Sequence, residues 1–185
     1  MSRTGRAVWR PAWVALGSNL DAPREQVCRA FEEIGRTPKV RLVARSPLYR
    51  SRPMGPADQP DFVNAVAGLV TRLGPSELLR ALHAIERAHG RRRSESERWG
   101  PRTLDLDLLV HGETVCDEPG LTLPHPGIGE RNFVLLPLAS VAPDLVIPGL
   151  GRVASLARRI AGTGIVRLEQ HLEQRMEERG GEDEG

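Results

Sequence analysis

Apolar residues in this chain keep two rhythms. Trp13-Val14-Ala15-Leu16 is an unbroken apolar run of strand length that stops at the turn signal Gly17-Ser18-Asn19. From Pro23 to Ile34 the period lengthens: Val27, Ala30, Phe31 and Ile34 share one helical face. Asp21 is placed to cap this helix, Pro23 sits in its first turn and Gly35 ends it. Val40 to Tyr49 reads as a strand centred on Leu42 and Val43, followed by a Pro/Gly-rich loop from Ser51 to Pro60. Phe62 to Thr71 returns as a strand. Gly74-Pro75-Ser76-Glu77 opens a second helix that runs to about His89, buries Leu78, Leu79, Leu82 and Ile85, and closes at Gly90. A polar loop, Arg91 to Pro101, leads to a strand at Leu104 to Val110. Gly120 to Gly129 is rich in Pro and Gly, and Phe133 to Val141 reads as a short helix.

The order strand, helix, strand, strand, helix, strand implies an α+β fold. It is that of a split βαβ sandwich, with helices packed on one face of a mainly antiparallel sheet. One domain is expected over residues 9–168, with a charged, disordered tail at 169–185. Composition fills in the picture. The chain has 185 residues and is 39% hydrophobic but only 4% aromatic, so one core built mostly of aliphatic side chains is expected. Cys28 and Cys116 are far apart and form no metal or disulfide spacing, and no apolar run reaches membrane-span length. With no signal-peptide core, these point to a reduced, cytoplasmic protein. A net charge of +2 does not demand a nucleic-acid partner. Lys39 is the one lysine and lies in no motif, so a mechanism built on a lysine has little to use.

The sharpest chemical signal is Asp105-Leu106-Asp107. Alternation along a strand puts both carboxylates on one face and Leu104, Leu106 and Leu108 on the core face. Two like charges so close either share a cation, with magnesium the natural oxygen-seeking choice, or lie on an ordinary solvated face. Arg91, Arg92, Arg93, Arg98 and Arg102 crowd the preceding loop. They can clamp phosphate oxygens or form a basic loop neutralised by Glu95 and Glu97. Trp99 can cap the core or stack on a flat ligand, a choice it shares with Phe62 and Phe133, and Asn64 can read a heterocycle edge. His125, held between Pro124 and Pro126, is either structural or a donor to phosphate. His83 and Glu86, three apart on the second helix, can bond a base or form a surface pair. The P-loop, protein-kinase, GxSxG, HExxH and RNA-binding aromatic signatures are absent.

Taken together, the stretches VALGSNL (14–20), SPLYRS (46–51), GPADQPDFVNA (55–65), RWGPRTLDLD (98–107) and LTLPHP (121–126), followed by Arg131-Asn132-Phe133, resemble the 6-hydroxymethyl-7,8-dihydropterin pyrophosphokinase family. The resemblance runs in register from about Trp13 to Leu150. It implies a ferredoxin-like fold, two magnesium ions, and transfer of pyrophosphate from ATP to the pterin hydroxymethyl group with release of AMP, in folate biosynthesis. By position it implies that Asp105 and Asp107 ligate the metal and that Arg91 and Arg102 act with them in catalysis. Ser51, Met54, Phe62, Asn64, Trp99 and Phe133 would bind the pterin. His83, Glu86, Arg93, Arg98, Arg102, Thr122, His125 and Arg131 would face ATP. Phe62 stands where the family often has tyrosine, Ser94 where it can have lysine, and Gly120 where it can have arginine. The expected partners are these two small molecules, bound by a monomer, with no nucleic acid and no membrane. Two other classes share parts of the pattern. A metal-dependent phosphohydrolase would use the same Asp pair, and a nucleic-acid-binding module would expose aromatics on the sheet.

Overall fold

The computed structural model describes residues 8–55, 58–91 and 100–168. The chain runs β1 (Arg10–Ser18), α1 (Pro23–Arg36), β2 (Val40–Arg45), β3 (Tyr49–Ser51), β4 (Phe62–Thr71), α2 (Pro75–Ala88) and β5 (Asp105–His111). It continues through β6 (Cys116–Glu118), β7 (Leu121–Leu123), α3 (Asn132–Val141), β8 (Val146–Ile147), β9 (Gly151–Arg152), α4 (Val153–Ala157) and β10 (Ile165–Arg167). The main sheet is ordered β10-β3-β4-β1-β5, with β2 also paired to β4. Every pairing in it is antiparallel. β4 lies between β1 and β2, and β1 lies between β4 and β5, which makes two interleaved split βαβ units as the element order implied.

The central strand explains its own sequence. Ala12, Val14 and Leu16 point to a core shared with α1 and α2, while Trp13 and Ala15 point to a second core shared with α3 and α4. A strand buried on both faces reads as a continuous apolar run. The helices therefore cover both faces of the sheet rather than the single face expected. The cause lies in β1 and β4, whose Ala15 and Val66 need cover on the far side, and in α3, whose Val134, Leu135 and Leu138 supply it. The second core is closed by Ile147 and Val153, from a region to which the periodicity assigned no element.

Other boundaries moved for local reasons. Asp21 does not cap α1: Asp21 and Ala22 both take left-handed backbone, at φ 52° and 60°, and the Asp21 carbonyl instead accepts the Gln26 side-chain amide at 3.0 Å. The helix passes through Gly35 and closes when Thr37 N–H meets the Ile34 carbonyl. The single strand expected over Val40 to Tyr49 is broken at Ser46-Pro47, where proline has no ladder donor. Ser46 Oγ bridges the break by accepting the Val66 N–H at 2.8 Å. The Gly/Pro-rich stretch hides a short hairpin, β6 with β7. β10 adds an edge strand to β3. Gly90 closes α2 with φ +80°, and His89 pins that end to α1 through Gln26 and Glu33. No helix among the described residues is long and apolar enough to cross a membrane.

Candidate active site

Strand register builds the site. Asp105 on β5, Gly17 on β1 and Asn64 on β4 stand side by side, and Asp107 stands beside Ala15. Leu104, Leu106 and Leu108 are buried on the opposite face, as alternation requires. The two carboxylates therefore share the face over which α3 packs, at the end of β1 where the chain turns away. A cavity of about 300 Å³ opens there, lined by Phe62, Asn64, Arg91, Arg102, Asp105, Asp107, His125 and Phe133, with Ser51 and Met54 at its side.

Asp105 is held tightly. Arg91 Nη1 donates to its Oδ1 and Arg102 Nη1 to its Oδ2. Burial works to raise its pKa, but Arg102 and Arg91 outweigh that and hold the carboxyl below the ordinary range. Arg91 also donates to Glu86, whose side chain is 1% exposed. The same Glu86 Oε1 accepts the Leu106 N–H at 2.8 Å and so satisfies the open edge of β5. Glu86 is thus buried rather than a surface group. It is a buried anchor that fixes Arg91 behind Asp105, because a carboxylate out of water needs both a cation and a donor. The charges of Asp105 and Glu86 in turn raise the Arg91 pKa against the pull of burial.

Asp107 is held loosely. His125 Nε2 and Arg131 Nη1 each stand 4.0 Å from its Oδ2. Burial and the neighbouring Asp105 charge push its pKa up to about 7. His125 is lowered, by burial and then by Arg131. A second cavity of about 250 Å³ lies beyond, lined by Leu79, His83, Thr122, Asp107 and His125. Thr122 Oγ1 donates to Asp117 Oδ1 at 2.8 Å on its rim. Asp107 and His125 are common to both cavities, so one carboxylate faces two compartments.

The residues fit a divalent cation supplied with a phosphate ligand. No cluster of three or more His, Cys, Asp or Glu that could cage a metal occurs among the described residues. Magnesium commonly takes one or two carboxylates and completes its shell with phosphate and water. Two carboxylates on one strand face, one of them driven toward protonation by burial and then by the other's charge, are a donor set that a cation would relieve.

The residues expected to bind the flat ring assemble around Asn64, whose Nδ2 donates to Ser51 Oγ at 2.9 Å with both side chains buried. Phe62 and Phe133 both line the first cavity, and Met54 is exposed at its mouth. Arg93, Arg98 and Trp99 lie outside the described residues, as does Ser94. One residue escaped the sequence reading. Asn19, buried in the turn after β1, accepts the Arg102 N–H at 2.8 Å, and its own N–H donates to the Arg102 carbonyl at 3.0 Å. Its Nδ2 donates to Gln59 Oε1 at 3.2 Å and to the Pro60 carbonyl at 3.1 Å. It therefore ties the Arg102 segment to the 51–61 loop. A Gly-Ser-Asn turn announces a bend but not which chains the amide will join.

Comparison with known proteins gives one direction. The family described as 7,8-dihydro-6-hydroxymethylpterin-pyrophosphokinase (HPPK) matches residues 13–143. A 2-amino-4-hydroxy-6-hydroxymethyldihydropteridine pyrophosphokinase of Pseudomonas aeruginosa is 54% identical over 156 residues, which is 84% of this chain and 95% of the relative. One of Haemophilus influenzae is 43% identical over 157 residues, 85% of this chain and 97% of the relative. Among solved structures, wild-type Plasmodium falciparum HPPK-DHPS with STZ-DHP superimposes with a TM-score of 0.65 at 12% identity over 84% of this chain. At that identity the likeness concerns the fold, and this chain spans only 44% of the Plasmodium one.

Proposed function

We infer the reaction from the family, for the chain belongs to the 7,8-dihydro-6-hydroxymethylpterin-pyrophosphokinase family. It is an ATP-dependent diphosphotransferase of folate biosynthesis that moves pyrophosphate from ATP to 6-hydroxymethyl-7,8-dihydropterin and releases AMP. The observation that carries the site assignment is the shared wall: Asp107 and His125 stand between the Phe62/Asn64/Phe133 cavity and the His83/Thr122 cavity. A flat pterin suits the first, with the rings stacking and Asn64 bonding its edge. The nucleotide suits the second, with its triphosphate crossing toward Asp105.

Asp105 and Asp107 would hold two magnesium ions, which when bound neutralise the triphosphate and draw charge from its β-phosphorus. The pterin hydroxyl oxygen attacks that phosphorus, the bond from it to the oxygen shared with the α-phosphate breaks so that this oxygen leaves with AMP, and the hydroxyl proton passes to water. Arg91 and Arg102 exchange Asp105 for phosphate oxygens as the substrate seats, and Arg131 and His125 meet the chain of phosphates from the Asp107 side. Arg93 and Arg98, which lie outside the described residues, would add to ATP binding, and Trp99 to pterin binding. Positioning and preset charge supply most of the acceleration. The chain acts as a monomer on two small molecules, without nucleic acid or membrane.

The test mixes the protein with ATP, magnesium and 6-hydroxymethyl-7,8-dihydropterin and identifies the products. AMP and the pterin diphosphate, formed only when both substrates are present, are expected. ADP, free phosphate, or AMP without the pterin would overturn the reading.

A further inference from the structure

We propose that Gly127 is a positioning residue for the triphosphate side of the site: its missing side chain seats the Arg131 guanidinium near Asp107, and its backbone N–H sets the tautomer of His125. The inference rests on the pyrophosphoryl-transfer reading and says which residue orders the Asp107 end of it.

The first half is steric. A Cβ built on Gly127 would lie 2.5 Å from Arg131 Nε, 2.7 Å from Cζ and 3.0 Å from Cδ. No such contact is tolerated, so any larger residue must move the arginine. Arg131 reaches Asp107 from this seat, its Nη1 standing 4.0 Å from Oδ2. The backbone of Gly127 is not among the left-handed glycines of the chain. Alanine could therefore adopt its conformation, and the nearest obstacle is the far end of the Arg131 side chain.

The second half is electronic. Gly127 N–H donates to His125 Nδ1 at 3.1 Å. A ring nitrogen that accepts a hydrogen bond carries no proton, so the imidazole proton sits on Nε2. That nitrogen is the one directed at Asp107 Oδ2, 4.0 Å away. The turn is rigid enough to keep the arrangement. His125 N–H donates to the Leu109 carbonyl at 2.9 Å, and Ile128 N–H donates to the His125 carbonyl at 3.1 Å. Prolines flank the histidine on both sides. One glycine thus aims both cationic and neutral donors at the side of Asp107 where phosphate would lie.

The test is a double-mutant cycle on the full chain. Gly127→Ala should raise the KM for ATP about 10- to 100-fold, the loss expected when one charge-assisted contact is displaced, and by more than it raises the KM for the pterin, whose cavity Arg131 also lines. Its thermal stability should hardly change, since only the far end of a flexible side chain stands in the way. In an Arg131→Ala background the same substitution should cost almost nothing, because the atoms it displaces are gone. An unchanged ATP KM in the single variant, or equal losses in both backgrounds, overturns the steric half. Nitrogen NMR of the His125 ring in the ligand-free protein should show Nδ1 bare and Nε2 protonated, and the opposite tautomer overturns the electronic half. Failure of the unmutated protein to make AMP from ATP and the pterin would instead overturn the reaction assignment, while the ring tautomer and the Arg131 position in a Gly127→Ala crystal structure would still be readable.

Discussion

Asp105 and Asp107 lie two residues apart on one strand and one face, yet they live in different surroundings. Asp105 is 21% exposed and gripped by two arginines, one of them anchored in turn on buried Glu86. Asp107 is 36% exposed and, among the described residues, has His125 Nε2 and Arg131 Nη1 at 4.0 Å. One carboxyl is held below its ordinary pKa and the other is pushed up to about 7. The strand supplies identical geometry to both, so the difference comes from what the loops and α2 bring to each. In the ligand-free chain Asp105 is neutralised by Arg91 and Arg102, whereas the cationic groups beside Asp107 stand 4.0 Å away.

The largest effect should come from treating the two alike. Asp105→Asn and Asp107→Asn should each lower AMP formation by about 10³-fold, the scale of losing a principal electrostatic contact to a transferring phosphoryl group. Their stabilities should then part. Asp105→Asn leaves Arg91 and Arg102 beside one another without the charge that balanced them and should cost about 2 kcal/mol in metal-free urea unfolding at pH 8. Asp107→Asn removes a repulsion and should leave the midpoint unchanged or higher. Equal losses of stability would end the distinction between a protein-neutralised and a cation-neutralised carboxylate.

Glu86→Gln probes the grip itself. Glutamine can still accept the Leu106 N–H, so the edge of β5 stays satisfied, but Arg91 loses its anchoring charge. A fall in kcat of about tenfold and a loss of about 1–3 kcal/mol are expected, with the KM for the pterin unchanged. Steady-state kinetics with each substrate varied in turn would check it. A rise confined to the KM for ATP would mean that Glu86 meets the nucleotide directly, as its place in the sequence motif suggested.

That residue marks where the sequence stops being readable. The Asp pair, its face and the leucines behind it follow from alternation alone, because a strand has only two sides. The split βαβ order follows from the succession of elements. Glu86 follows Leu78 and Leu82 at i+8 and i+4 and so lies on the same buried face of α2, but a carboxylate at such a position is ordinarily a surface group, and its burial depends on a strand 20 residues away offering an unpaired N–H. Asn19 and Ser46 are of the same kind. Each side chain replaces a backbone partner whose identity only the folded chain reveals. The second core was hidden for a different reason. Val146, Ile147, Gly151 and Arg152 form strands of two residues, too short to carry any period. The arginine loop assigned to phosphate contributes only Arg91 and Arg102 to the described geometry, with Arg93 and Arg98 outside it.

The pH dependence of stability separates the two carboxylates most cleanly. The folded-state pKa of Asp107 is about 7, above the roughly 3.9 of an unfolded aspartate. The native chain therefore binds the proton more tightly than the unfolded chain, and that contribution to stability is full below pH ~4 and is lost as pH rises through 7. Asp105 has the opposite sign. Its folded pKa is depressed, so its contribution is present above pH ~4 and disappears as the pH falls through the folded value. In chelator, the unmutated protein should lose stability relative to Asp107→Asn between pH ~4 and ~7, while its advantage over Asp105→Asn should shrink only in acid. Magnesium should reverse the first trend, because a cation takes the place of the proton on Asp107 and its stabilising effect must grow as the carboxyl ionises. Melting temperatures at several pH values, with and without magnesium, give all three curves. Parallel curves for the unmutated chain and Asp107→Asn in chelator would show that Asp107 is already neutralised by His125 and Arg131, and the contrast with Asp105 would collapse.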